Sequence, residues 1–382
     1  MNRITNDQAP IVSTYEPKTS CCCQILPPHV QVKIQEIYER EGEASNAARA
    51  ERNLNRHHRI RQQRAVLCSK KKVKAKAERG HLIKIYDAGN HKNLPGALVE
   101  DPTASNDDDV KRAYEWNRVV GHFYKEQFER GSINNEGMPF VSTVNYGKNY
   151  ANAFWYKGRM IYGDGDGRWF DSFTRDLDVA AHEMTHGVTE YDIQLEYQGP
   201  SGALNESLSD VFGSIIKQQH NNETVEGADW LIGKNLIIGD EYALRSLKSP
   251  GTAYDHPVLG RDPQPSHMTG YDPTTEDNGG VHINSGIPNH AAYLAAENLY
   301  RVDEDKFQHS WNSIGPIWYA ARENLNNRAT FADFAQATLK AAAKAFPDNA
   351  DNVQGAVSEA WQSVGVLNED TLPNKRKWCC FK

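Results

Sequence analysis

Residues 181–191 read AHEMTHGVTEY. His182 and His186 are four positions apart, and Glu183 directly follows the first. On an α-helix, residues i and i+4 lie on one face, one turn apart, so both imidazoles can point at one ion. Glu183, at i+1, is rotated by about 100° and would stand beside such an ion without ligating it. The same pattern also arises by chance on solvated helices, so this stretch alone leaves a metal site and an ordinary surface helix both open. A metal site needs a third ligand, partners for the second nitrogen of each imidazole, and a pocket.

The chain has 382 residues, enough for about two or three domains and a sizeable core. It is 39% apolar and 24% charged, as in ordinary soluble proteins. No apolar run approaches a membrane span. The first residues, MNRITNDQAP, are polar, and no basic region precedes an apolar one, so no secretory signal peptide is expected. The net charge of −7 hides a split. Residues 49–79 carry 12 Lys and Arg against 2 Asp and Glu, which leaves 31 against 48 elsewhere. Such a run can bind nucleic acid, a membrane or the acidic body, but it reads best as a solvated, protease-sensitive linker. Neither nucleic acid nor membrane is expected as a partner. The six cysteines are Cys21, Cys22, Cys23, Cys68, Cys379 and Cys380, so residues 80–370 fold without disulfides.

After a polar start comes ILPPHVQVKIQEIYEREG, where Pro27-Pro28 can open a helix. Val30, Ile34, Ile37 and Tyr38 follow at helical spacing, Gly42 ends the pattern, and a basic linker is expected from there to about residue 79. One short amphipathic helix cannot bury its own stripe, so it should dock on something. Residues 82–176 alternate apolar, aromatic and polar positions between Gly, Asn and Asp turns and read as β-rich, with one helix at 110–129. The run Gly163–Gly167, GDGDG, is a tight turn. Helices dominate afterwards, at 178–191, 202–219, 287–301, 305–325, 330–345 and 349–365. Pro316 should kink the fourth of these, and Thr330 with Asp333 forms a capping-box pattern. The fold class is α+β, with a β-rich part followed by a helical part.

Residues 199–210 read GPSGALNESLSD. A helix there sets Glu206 and Asp210 on one face, with Leu204, Leu208, Val211 and Ile215 supplying an apolar face beside them. Packed against the first helix, Glu206 can complete a His2Glu zinc site with a fourth position free for water. Asp210 can then hold the remaining N–H of His182. A solvent-facing acidic pair is the bland alternative.

His182-Glu183-x-x-His186 followed by Asn205-Glu206-Ser207-Leu208-Ser209-Asp210 resembles the thermolysin family of neutral zinc metalloproteases. The likeness runs from about Ile85 to Val366. NAFW at 152–155 and DNGGVHINSGIPNHAAYL at 277–294 make it specific. The resemblance implies a two-domain thermolysin-like fold with the zinc helix at the floor of a cleft. The expected divisions are a propeptide and linker over 1–77, a β-rich catalytic domain including the zinc helix over 78–200, a helical domain over 201–367 and a polar tail over 368–382. It implies one zinc held by His182, His186 and Glu206, with Glu183 as general base. Zinc would polarise a water and bring its pKa toward about 7. His282 and Tyr197 match the oxyanion donors, and Asp277 the carboxylate that orients His282 and keeps it cationic. Asn205 and Asp210 match the partners of His186 and His182. Asn152, the backbone of Ala153 and Arg245 match groups that bind a substrate main chain. Phe170, Phe173, Val179, Ile232 and Leu244 match an apolar pocket, which implies cleavage of peptides and proteins before large apolar residues.

Two departures accompany the likeness. At the family's paired calcium site Asp178 and Asp229 persist, but the three glutamate positions read Lys217, Leu231 and Lys234. Ammonium groups cannot be calcium ligands, so calcium is expected to be absent, with Lys–Asp pairs in its place. The loop before Arg245 is short, which removes a further calcium site. The front end resembles the protealysin branch, which has a short propeptide; the expected role here is an inhibitory, folding-assisting segment removed by self-cleavage, with an inert tail as the alternative. Val66, Leu67, Val73 and Leu82 offer apolar residues after basic ones for that cut. A monomer is expected. The family is typically secreted, yet no signal peptide is seen, so cytoplasmic residence or unconventional export stays open. A zinc aminopeptidase and a latent binding protein plugged by its own extension are the rival readings.

Overall fold

The computed structural model describes residues 24–62, 82–239 and 242–368. The first described segment, Gln24–Pro27, bridges to Phe154 at Gln24 and bends at Ile25 and Leu26 before turning extended at Pro27. Leu26 and Pro27 each precede a proline, which disfavours helix, and Pro27 sits at φ −61°, ψ 151°. Helix α1 (Pro28–Arg40) follows and buries Val30, Ile34, Ile37 and Tyr38, the stripe expected to dock. The stretch read as a linker then departs from expectation. Residues Ala44–Gln62 form a helix, α2, packed on α1. Ala44, Ala47, Ala48 and Ala50 are strong helix formers, and Ala47 is buried, so a high positive charge does not keep the segment unfolded.

The N-terminal sheet has five strands, β1 (Ile83–Asp87), β2 (Ala97–Leu98), β3 (Phe140–Val144), β4 (Ala153–Tyr156) and β5 (Arg159–Tyr162), in the order β2-β1-β3-β5-β4. Strands β1, β3 and β5 are parallel, and β2 and β4 run antiparallel at the two edges. Helix α3 (Asp108–Phe128) packs on β1 and β3. The candidate metal helix α4 (Leu177–Asp192) lies between this sheet and α5 (Gly199–Asn221). Two glycines set that placement. A Cβ on Gly187 would stand 2.7 Å from the Trp155 ring, and one on Gly213 would stand 2.7 Å from the Asp178 carbonyl oxygen. Any larger residue would push α4 off β4 or α5 off α4.

The helical half continues through α6 (Asp277–Asn284), α7 (Gly286–Val302), α8 (Ile314–Ala321), α9 (Phe331–Ala345) and α10 (Ala350–Ser363). The capping box at Thr330 and Asp333 is present. The single helix expected over 305–325 is instead a turn, a 3-10 turn at Ser310–Asn312, and α8. Pro316 therefore lies in the first turn of α8, where its missing N–H would have had no helical partner, and it produces no kink. One contiguous apolar core runs from Ile25 and α1 through α4 and α5 to α10.

Candidate metal centre and cleft

His182 and His186 share one face of α4, and Glu206 on α5 faces them. One ligand atom from each lies within 4.8 Å of the others, and all three residues are buried. Glu206 Oε2 is 3.4 Å from His182 Nε2, and Oε1 is 3.5 Å from His186 Nε2. The second imidazole nitrogens are both engaged. Nδ1 of His182 lies 2.7 Å from Asp210 Oδ1, and Nδ1 of His186 lies 2.8 Å from Asn205 Oδ1 and 2.9 Å from Ser209 Oγ. Both Nε2 atoms therefore face one point, only 2.9 Å apart. Two lone pairs that close repel unless a proton or a cation lies between them. Glu206 Oε2 is buried and has no hydrogen-bond partner. The donor set therefore fits a bound cation, and His182, His186 and Glu206 form a possible metal site.

The electrostatics agree. Burial alone would raise the Glu206 carboxyl, but the imidazoles of His282, His186 and His182 outweigh it and hold it well below the usual range. Burial drives His186 down to about 3. Burial also disfavours charge on His182, yet Asp210 and Glu206 outweigh it and lift that ring to about 9. Metal binding there would displace a proton. Glu183 behaves differently, since burial pushes its carboxyl well above the ordinary value. Its Oε2 accepts from the Trp155 backbone N–H at 2.9 Å, while Oε1 is buried without a partner.

Opposite α4 stand His282 and Tyr197. Tyr197 donates to Glu206, and its hydroxyl is 3.4 Å from His282 Nε2. Asp277 holds His282 twice, by the backbone N–H at 2.9 Å and by Nδ1 at 2.8 Å. The backbone makes this possible through four consecutive left-handed residues, Asp277 (φ 49°), Asn278 (φ 54°), Gly279 (φ 81°) and Gly280 (φ 70°). Two of them are not glycine, so strained conformations sit where His282 is aimed.

Asp210 is a hub that the sequence reading only half anticipated. Besides His182 it accepts Arg245 through Nε and Nη2, both at 2.8 Å, and Asn289 Nδ2 at 2.9 Å. Arg245 Nη1 remains directed into the cleft, where it donates to the carbonyl of Ile25 at 2.9 Å. Phe170, Phe173, Val179, Ile232 and Leu244 are all buried, within 4% of complete.

The segment ahead of α1 fills the cleft. Gln24 pairs antiparallel with Phe154, and the Ile25 N–H donates to the Ala153 carbonyl at 3.3 Å. The Leu26 N–H donates to Asn152 Oδ1 at 3.1 Å, Asn152 Nδ2 donates to Gln24 Oε1 at 3.1 Å, and His282 Nε2 donates to the Gln24 carbonyl at 3.0 Å. Sequence reasoning missed these three residues. The signal was the pair of prolines, which keeps the residues before α1 out of a helix and able to pair with an edge strand. His29 lies farther along, 3.1 Å from the Tyr254 hydroxyl.

At the far end of the same two helices, Lys217 Nζ lies 3.0 Å from Asp178 Oδ2, 2.9 Å from Asp229 Oδ1 and 2.7 Å from the Leu231 carbonyl. Lys234 is more remote, 3.6 Å from Asp229 Oδ2 and over half exposed. An ammonium thus occupies an all-oxygen cage, and Leu231 contributes through its backbone.

Three side chains able to hold a metal, a buried glutamate with one oxygen unpartnered and a histidine–tyrosine pair facing them, gathered beside an edge strand, are the makings of a metal-dependent peptidase cleft. The chain matches the family model of the thermolysin metallopeptidase catalytic domain over residues 52–190, and that of the thermolysin metallopeptidase alpha-helical domain over 193–366. It is 48% identical over 288 residues to an extracellular metalloprotease of Pectobacterium carotovorum subsp. carotovorum, covering 74% of this chain and 80% of that protein. It is 42% identical over 290 residues to Protease PrtS of Photorhabdus sp. (strain Az29), covering 74% and 76%. The precursor of protealysin, a metalloproteinase from Serratia proteamaculans, superposes with a TM-score of 0.78 at 41% identity, over 90% of this chain and 100% of that one. The chain belongs to the thermolysin metallopeptidase family. No helix among the described residues is long and apolar enough to cross a membrane.

Proposed function

We propose that the chain is a zinc endopeptidase that hydrolyses peptide bonds before large apolar residues and is made as a precursor closed by its own N-terminal segment. The antiparallel seating of Gln24–Leu26 on β4, beside His182, His186 and Glu206, carries this reading. Two imidazole nitrogens and one carboxylate suit zinc and leave a position for water. Bound there, zinc supplies a Lewis acid that polarises a carbonyl and acidifies water. The remaining chemistry belongs to the chain. Glu183 Oε1 takes a proton from the attacking water and returns it to the leaving nitrogen, a role that its unpartnered oxygen next to the ligand His182 favours. Tyr197 and His282 donate to the developing oxyanion, and Asp277 fixes the His282 ring. A ring that donates at both nitrogens is an imidazolium, and His282 has an oxygen acceptor at each. Asp210 and Asn205 engage Nδ1 of His182 and His186 so that each Nε2 faces the ion. Asn152, the Ala153 backbone and Arg245 hold the substrate main chain, and Phe170, Phe173, Val179, Ile232 and Leu244 receive the large apolar side chain.

In this reading residues 1–77 are propeptide and linker, 78–200 and 201–367 the two catalytic domains, and 368–382 a tail. Cleavage in the linker by the chain itself releases α1 and α2. Of the expected cut positions, Val66, Leu67 and Val73 lie outside the described residues, while Leu82 is exposed. The enzyme acts as a monomer without calcium, Lys217 substituting for the ion. An extracellular site of action follows the printed name of the Pectobacterium relative. The test is hydrolysis of an N-blocked peptide with and without 1,10-phenanthroline, alongside a zinc assay. One zinc per chain and chelator-sensitive cleavage are expected. Turnover confined to unblocked peptides would make the chain an aminopeptidase instead, and no turnover would leave a plugged binding protein.

A further inference from the structure

Peptide hydrolysis demands a carbonyl at the oxyanion donors, a leaving nitrogen beside it, and neighbouring peptides clamped by main-chain bonds. Residues 24–26 meet all three demands. The Gln24 carbonyl accepts from His282, one of the two oxyanion donors. The next nitrogen, that of Ile25, is tied to Ala153, the Ile25 carbonyl to Arg245, and the Leu26 nitrogen to Asn152. Ile25 is a large apolar residue, completely buried in the same apolar cluster as the five pocket residues. It holds the position immediately after the bond, where the proposed specificity calls for such a residue. An inhibitor that merely blocked the cleft could lie in either chain direction and in any register. This segment lies in the one that a substrate needs.

We propose that the Gln24–Ile25 peptide bond is itself a substrate of this cleft, cut in cis in a reaction separate from cleavage of the linker. The inference rests on the endopeptidase reading above. Water adds its oxygen to the Gln24 carbonyl carbon, and the C–N bond breaks. Glu183 carries the water proton to the Ile25 nitrogen, leaving a carboxylate on Gln24 and an amine on Ile25. Residues 1–24 depart with Cys21, Cys22 and Cys23, half of the six cysteines. Ile25 and Leu26 remain tethered to α1 as a bound product, so this cut by itself does not open the cleft.

The full-length chain is incubated in H218O and followed by mass spectrometry. A 1–24 peptide with one 18O in its terminal carboxylate is expected, forming at a rate independent of protein concentration. Glu183→Gln should abolish it, Ile25→Asp should suppress it at least about tenfold, and Ile25→Leu should retain it. In metal-free protein the Leu26 amide should exchange at least about 100-fold more slowly than in a free peptide, and Asn152→Ala should remove that protection. A chain that hydrolyses a blocked peptide but keeps the 24–25 bond intact overturns this proposal and spares the endopeptidase reading. A Leu26 amide that exchanges at the free-peptide rate overturns it without reference to activity. A chain inactive on every peptide and uncut at this bond overturns both.

Discussion

Helices α4 and α5 build two cation cages along one interface, and they are opposite in kind. At one end His182, His186 and Glu206 converge with a buried carboxylate oxygen left unpartnered. At the other, Asp178 and Asp229 converge on Lys217, whose ammonium supplies the positive charge from within the chain. A buried anionic cage must be neutralised, either by a ligand or by a side chain. The first arrangement is buried and would be completed only by a cation taken up from outside the chain. The second is satisfied when the chain folds, and the backbone carbonyl of Leu231 completes it. One interface thus contains a possible metal site and, beside it, an anionic cage that a lysine already fills.

The largest effect should come from emptying the first cage. Glu206→Gln or His182→Ala should lower bound zinc to a small fraction of one per chain and cut kcat/KM at least about 10⁴-fold, measured by metal analysis and a blocked-peptide assay. Glu183→Gln sharpens the point, since it should lose about 10³-fold in kcat while retaining zinc. That variant should also leave the linker uncut, and normal processing of the purified protein would contradict self-cleavage.

The second cage should respond in stability. Lys217→Met leaves two carboxylates without their ammonium and should cost about 3–4 kcal/mol by denaturant titration. Lys217→Glu restores an oxygen-only cage and should make the melting temperature rise with calcium, whereas the unsubstituted chain should melt alike with and without it. A strong calcium response of the unsubstituted chain would break the comparison. Burial would raise Asp229, but Lys217 outweighs it and holds the carboxyl below its ordinary value. A lowered carboxyl contributes stability above its unfolded pKa, about 4, that is lost as pH falls through the lower folded value. Acid titration of stability should therefore be shallower in Lys217→Met. The smallest effect belongs to Lys234, which is over half exposed and 3.6 Å from Asp229. Lys234→Ala should change stability by under about 0.5 kcal/mol.

Much of the site is legible in the chain because it is written in local spacing. His182 and His186 are one turn apart, as are Glu206 and Asp210, and each pair shares a helix face. Helices α1, α3, α7, α9 and α10 follow their apolar periodicity, α4 and α5 are buried almost all round, and the Thr330–Asp333 cap follows its short motif. Errors arose where local signals conflict. The positive charge of residues 49–62 suggested a linker, but alanines and contact with α1 make the segment helical. Around Pro316 the periodicity hid a turn that the proline follows closely.

The sequence by itself determined which side chains can ligate, donate or accept, because residue type and helical spacing fix those properties before any packing occurs. Only the tertiary structure decided that Asp210 binds His182, Arg245 and Asn289 together, that Lys217 sits between two aspartates, and that the Gln24 carbonyl meets His282. Those pairings join residues up to 258 positions apart. No local pattern encodes such distances; close packing, seen where Gly187 meets Trp155 and Gly213 meets Asp178, brings the elements together.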